Sequence, residues 1–289
     1  MCSGKNRSFH TMKKQIFMRL WLIAFCALTS VFASAQFCVY YGGKEVFAMP
    51  SALPDSVTFH MNYQTVGGSV PAASEAVDMG TSVLWAPYNI GASKATEGGD
   101  FFAWGETAPK STYTWGNYRH MTPGCADSRD INKYQVADGV DGTKPGQTRN
   151  AVWYSGVGGS FIGDNKKTLE AADDAAQANW KNGWRMPTQA ELNQLVNNCD
   201  ITYYDNYNRT GVAGFLFTSK KTSKTLFFPA AGYKNEEGAT VKGSIYWSST
   251  VYNLTGSAYV LALNTDMASA ANWCFERLRG FVIRPVRAK

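Results

Sequence analysis

Apolar residues recur along this chain at two spacings, and the change from one to the other marks its elements. Over 168–180, Leu169, Ala172, Ala176 and Trp180 fall on one helical face, with Glu170, Asp173 and Asp174 favouring the N-terminal end. A second helix is predicted from Thr188, where Glu191 three residues on completes a capping box and Leu192, Leu195, Val196 and Cys199 continue the spacing. Between them, Pro187 holds Met186 extended and keeps the two helices apart. Short apolar runs predict strands at 82–86, 100–104, 225–230, 244–249, 258–263, 272–277 and 281–286, several flanked by Gly or Asn. Residues 105–165 carry neither spacing and read as loop, a length that in a compact domain is functional or stapled by its own aromatics. Helices followed by a strand-rich remainder make the class α+β.

Ahead of this domain the pattern is different. Lys13, Lys14 and Arg19 precede the apolar run Leu20–Leu28, and Ala33-Ser34-Ala35 offers a cleavage site, so 1–35 reads as a signal peptide, starting at Met1 or Met12. That places the mature chain in the periplasm, on the outer surface or outside the cell. Residues 36–60 suggest a β-hairpin around Gly42-Gly43 and a further strand at Asp55–Phe59; 61–76 reads as a linker, and 77–289 as the main domain. Beyond the signal no stretch is long and apolar enough to span a membrane, which argues against an integral membrane protein.

Charge changes with cleavage. Of 28 Lys and Arg, five lie in 1–35 with no acid, leaving 23 against 22 Asp and Glu. The basic balance thus belongs to the signal and gives no reason to expect nucleic acid as a partner. Cys38, Cys125, Cys199 and Cys274 remain, free to oxidise in an exported chain, with three pairings open and no Cys-x-x-Cys spacing for zinc. Only His60 and His120 survive, which starves histidine-based catalysis. No cofactor or metal is expected; Asp138, Asp141 and Asp164 read as turn residues before calcium ligands.

Six blocks carry a family resemblance: Val77–Ala86 with Asn89–Ala92, Asp100–Thr107, Trp184–Thr188, Phe228–Tyr233, Tyr246–Thr250 and Ile283–Val286. In this order they resemble the Fibrobacter succinogenes major paralogous domain, a family of secreted Bacteroidetes proteins, and 37–60 is similar to the leader hairpin that precedes it. The resemblance implies a C-type-lectin-like fold, shared with formylglycine-generating enzymes: two helices flanking a small twisted antiparallel sheet, with long loops and both domain ends in neighbouring strands. Oxidases of that fold hold copper on paired cysteines, whereas the corresponding region offers Cys274 alone, a poor copper(I) site. Lectin-type Glu-Pro-Asn, Gln-Pro-Asp and Trp-Asn-Asp runs are absent as well. Paired carboxylates for hydrolysis would have to come from Glu106, Glu236 or Glu237, because Glu191 is taken by the cap.

The aromatic residues of the loops are the better clue. Trp115, Tyr118, Tyr203, Tyr204, Tyr207, Tyr252 and Trp273 lie in or beside predicted loops near Asn and Gly, a composition suited to stacking on sugar rings. For each, the alternative is burial as a loop staple. Trp85, Trp104, Trp184 and Trp247 are expected in the core, and Arg185 and Arg284 on loop carbonyls or an internal carboxylate. The expectation is a noncatalytic binding module for glycan or a surface protein, against a structural or adhesin-like component and, third, an enzyme these motifs do not reveal. Nothing in the pattern sets the oligomeric state.

Overall fold

The computed structural model describes residues 65–136, 153, 155, 159–252, 256–265 and 270–289, and the backbone of Cys38–Tyr41 and Lys44–Ala48. The chain divides into two units, Met1–Met61 and Asn62–Lys289. In the first, β1 (Cys38–Tyr41) and β2 (Lys44–Ala48) form an antiparallel hairpin. The signal peptide and the strand expected at Asp55–Phe59 lie outside the described residues.

The second unit is mixed α and β, with few helices and several small antiparallel sheets. Its first sheet joins the two ends of the unit: β4 (Val83–Trp85) pairs with β3 (Val77–Asp78) and with β13 (Val286–Ala288). Two helices follow along the chain, α1 (Ala175–Asn179) and α2 (Gln189–Asn198). A second sheet has the order β5 (Cys199–Tyr204), β6 (Gly214–Ser219), β7 (Thr225–Pro229). Next comes a two-residue pair, β8 (Tyr233–Lys234) with β9 (Thr240–Val241). A further sheet runs β10 (Ile245–Val251), β11 (Ser257–Ala262), β12 (Ala270–Glu276). Within the stretch read as a linker, Gly67 N–H donates to Asp100 (2.7 Å) and Ser69 N–H to the Ala92 carbonyl (3.0 Å), so 67–69 lie against the domain.

Four sequence expectations need correction. The helix predicted over 168–180 is a 3-10 turn at Ala171–Asp173, a break, and α1. Asp174 makes the break: its carboxylate accepts from Ala176 N (2.9 Å) and Gln177 N (3.0 Å), and also from Met186 N (2.9 Å). A short side chain that caps the next turn and ties a distant strand cannot also sit mid-helix. The run 100–104 is no strand; Phe102 alone bridges Phe281, and 281–286 is likewise split into single bridges at Phe281 and Val282 before β13. Cys199 does not extend α2 but opens β5, in which buried Cys199 and half-buried Ile201 alternate with exposed Asp200 and Thr202 before the exposed Tyr203 and Tyr204.

The second helix starts as its pattern predicts. Thr188 Oγ1 accepts from Glu191 N (3.2 Å), and Glu191 Oε2 accepts from Thr188 N (2.8 Å). Glu191 also receives Arg185 in a two-pronged pair at 2.8 and 2.5 Å, so one carboxylate fixes both the helix start and the strand before it. Leu192 and Leu195 then enter a core with Trp85, Phe217, Phe228 and Val282, beside a second cluster built around Trp104, Trp184, Trp247 and Phe281. The four tryptophans expected in the core are each at most 1 % exposed.

Arg284 is buried with no carboxylate partner. Its Nε donates to Asn89 (2.8 Å), and its other nitrogens to the carbonyls of Ala86 (3.3 Å), Pro87 (3.2 Å) and Phe227 (2.9 Å), while the guanidinium stacks on Phe228. Burial lowers its pKa to about 10, which leaves it charged at neutral pH. Arg284→Met strands these buried acceptors and is expected to cost about 3 kcal/mol in urea denaturation, against about 1 kcal/mol for loss of the Thr188→Ala cap.

Candidate functional site

The seven aromatic candidates do not form one site. Tyr118 is buried at 3 % exposure, with its hydroxyl on the Trp104 carbonyl at 2.8 Å and its ring edge against Trp115 and His120. It is a staple of the long loop and is withdrawn as a ligand contact. Trp115 is half-buried beside it. Tyr203 and Tyr204 are consecutive in β5 and point to opposite faces, Tyr203 against Phe215 and Tyr204 toward Tyr207. The ring of Tyr207 lies flat on Phe227, 3.9 Å between centroids, so one of its faces is used up. Tyr252 packs edge-on against Tyr259 at 4.8 Å. Trp273 is 45 % exposed, as Tyr203 is, and in addition borders a groove.

That groove lies where β12 meets the strands beside it. Trp273 pairs in register with Val260, and Trp273 and Phe275 point to the same face. Ile245, Ala262 and Leu263 complete an apolar floor, with Ser244 and Asn264 supplying a hydroxyl and an amide, around about 190 Å³. Among the described residues no charged side chain lines it. A second groove, about 260 Å³, is lined by Gln177, Lys181, Asn182, Gly183, Trp184 and Arg185.

The densest set of ionisable groups is buried and faces neither groove. Asp173 accepts from Tyr134 Oη (2.6 Å) and Lys133 Nζ (2.5 Å), with Arg119 at 3.4 Å and His120 at 3.8 Å. Burial alone would raise the Asp173 pKa, but the hydrogen bonds from Lys133 and Tyr134 hold it low. Glu106 and Lys110 form a second buried pair at 2.8 Å, in which burial raises the carboxyl and lowers the amine. Glu106 Oε1 also takes Arg119 N–H (2.9 Å), whereas Oε2 is the single buried side-chain oxygen or nitrogen among the described residues without a partner. The Asp173 set pins the loop from Gly105 to Val136 onto the domain, and the Glu106–Lys110 pair braces that loop internally. Asp173, read in sequence as a helix-end charge, belongs to this anchor, and the Asp-Asp pair in a predicted helix was its one visible trace.

Asp164 is a bracket of the same kind, accepting from Tyr134 N and Gln135 N at 2.9 Å; Asp138 and Asp141 lie outside the described residues. Among the described residues no three His, Cys, Asp or Glu side chains converge. Cys199 and Cys274 are free thiols, both raised by burial, Cys199 to about 11, while Cys125 is disulfide-bonded. No helix among the described residues is long and apolar enough to cross a membrane.

No protein-family model, curated protein or solved structure matches the chain.

Burial pushes the His120 pKa from 6.5 down to about 4. Between those values the unfolded chain binds the proton and the folded one does not, so stability falls as pH drops through that window. The expected loss is about 2 kcal/mol, read from urea midpoints at pH 7 and pH 4.5, and His120→Gln should flatten it. Asp173 adds its own loss only at lower pH, as its depressed pKa is approached.

Proposed function

We propose that this chain is an exported, noncatalytic binding module of the major paralogous domain kind, with a C-type-lectin-like fold, and that it holds a neutral sugar ring in the Trp273 groove. Export rests on the signal pattern of 1–35, and the family on the six sequence blocks. The observation that carries the binding site is Trp273: a large indole left 45 % exposed beside a groove lined, among the described residues, by no charged side chain. Aromatic faces bind the apolar face of a pyranose, and the apolar floor beside the indole extends that surface. At about 190 Å³ the groove is smaller than the ~300–1,000 Å³ that encloses a drug-sized ligand, which favours one ring over several.

The noncatalytic reading is supported by how the reactive groups are used. Cys274 has no second thiol in its stretch of sequence for copper, and its thiol is raised by burial. Glu106 is sealed in a buried pair, Glu191 is held by Arg185 and its own helix start, and Glu236 pairs with Arg279 (3.4 Å). A nucleophile or general base needs access to a substrate, which Glu106 and Glu191 lack, while the exposed Glu236 sits on the surface in an ion pair.

A glycan array followed by calorimetry tests the proposal. A neutral glycan should bind, and Trp273→Ala should weaken it at least tenfold, about 1.4 kcal/mol, without moving the melting temperature, while Tyr204→Ala leaves affinity unchanged. Absence of binding to any glycan, together with self-assembly or capture of a surface protein, would replace this reading with the adhesin-like one. Copper-dependent oxygen consumption would overturn the noncatalytic assignment.

A further inference from the structure

The second groove has the chemistry the first lacks. Helix α1 ends at Trp180 in a right-handed conformation (φ −96°, ψ −27°). The next three residues are all left-handed: Lys181 (φ 54°), Asn182 (φ 47°) and Gly183 (φ 82°). Gly tolerates this freely and Asn moderately, but for Lys it is uncommon and strained. Nothing that Lys181 touches offsets the strain, since its side chain forms no hydrogen bond or ion pair among the described residues. The only internal bond of the turn runs from Trp184 N–H to the Lys181 carbonyl at 2.9 Å.

That leaves a row of donors without acceptors. The backbone N–H groups of Lys181, Asn182 and Gly183, the Lys181 ammonium and the Asn182 amide have no partner among the described residues, and all three residues are exposed. The right-handed Trp180 followed by the left-handed Lys181 turns the N–H groups of Lys181 and Asn182 toward one concavity, the arrangement that binds anions, while Trp180 N–H is spent on the Ala176 carbonyl (2.8 Å). Here the concavity is a groove of about 260 Å³ whose wall also carries Arg185, one-third exposed, and Gln177. No carboxylate lines it. The nearest acids face elsewhere: Glu191 is taken by Arg185, and Asp174 accepts from Ala176, Gln177 and Met186. Arg287, stacked over Trp184 at 5.4 Å, adds a further positive charge beside it.

We propose that this groove is an oxyanion site, distinct from the Trp273 groove, which takes a carboxylate or phosphate group on the N–H groups of residues 181–183 with Lys181 supplying the charge. Charge-assisted bonds from several donors to one oxyanion are the strong ones, and three of the donors are backbone groups already fixed in place. The ligand is the anionic end of a larger molecule, because the groove carries the Lys181 and Arg185 side chains and no exposed aromatic face: its Trp184 is buried.

Amide NMR titration at constant ionic strength tests this, with inorganic phosphate and with glucuronate as separate probes. Saturable shifts confined to residues 181–185 are expected with at least one probe, and the responding probe tells a phosphate source from a uronic acid. Lys181→Glu should weaken the response at least tenfold, whereas Lys220→Glu, on another exposed lysine, should leave it unchanged. Lys181→Gly keeps the N–H groups and relieves the strained backbone, so it should raise the melting temperature and retain weaker binding. Shifts that do not saturate, that spread equally over Lys220, Lys221 and Lys224, or that survive Lys181→Glu would overturn the proposal.

Discussion

Backbone satisfaction is the constraint on which the rest of this domain depends. Long irregular segments carry amide and carbonyl groups that no ladder or helix can satisfy, and buried ones must find partners elsewhere. Here the partners are side chains. Arg284 takes the carbonyls of Ala86, Pro87 and Phe227, and Arg277, fully buried, takes those of Ser257, Lys133 and Tyr134. Asp164 and Asp174 do the converse for N–H groups. Indole N–H groups join in: Trp104 donates to Ser248 and Trp247 to Phe102, each at 2.8 Å, crossing between the loop and β10. The charges of the two arginines are compensated by carbonyl dipoles and by aromatic faces, Phe228 under Arg284 and Trp104 under Arg277.

This economy decides what is left for function. Polar and aromatic groups that would make a catalytic site elsewhere are here committed to holding loops. His120, Tyr134 and Asp173 touch one another as catalytic groups often do, yet each is at most 5 % exposed. Tyr134 even adopts a left-handed backbone (φ 59°), a strain that its hydroxyl contacts to Asp173 and Glu170 N–H help to hold. A binding surface must therefore be sought among groups the scaffold has not used. Trp273 and the turn at Lys181–Gly183 are such groups, and both sit on rigid neighbours, a strand in one case and a helix end in the other.

Much of the scaffold was legible in the sequence because its determinants are local. The Thr188–Glu191 box lies within one turn, and Pro187 acts on the residue before it, so the start of α2 and the extended Trp184–Met186 follow from spacing alone. What was not legible depends on partners far along the chain. Asp173 and Asp174 resemble ordinary helix-start acids until Tyr134, Lys133 and Met186 are brought to them. Tyr118 looks like a loop aromatic until Trp104 supplies its acceptor. The strand at Cys199–Tyr204 had a local signal in its alternation, but Cys199 also fits the helical spacing before it, and the shorter period was missed. The split of aromatics between platforms and staples is likewise a tertiary property: adjacent Tyr203 and Tyr204 could not both serve one face of a strand.

The Trp184–Thr188 stretch shows how scaffold and function can share a segment without being the same thing. Arg185 and Glu191 lock its backbone, and Asp174 holds Met186 N–H from behind. Those bonds explain why the stretch is rigid, but they also fix the position of whatever precedes it. The turn at Lys181–Gly183 is anchored at one end by α1 and at the other by this locked strand, so its free N–H groups keep one geometry without making a bond of their own. A donor array needs such pre-organisation, because ordering a flexible loop around an anion would consume much of the energy of binding it. The motif thus serves binding through the turn it positions, while its own arginine is spent on a carboxylate.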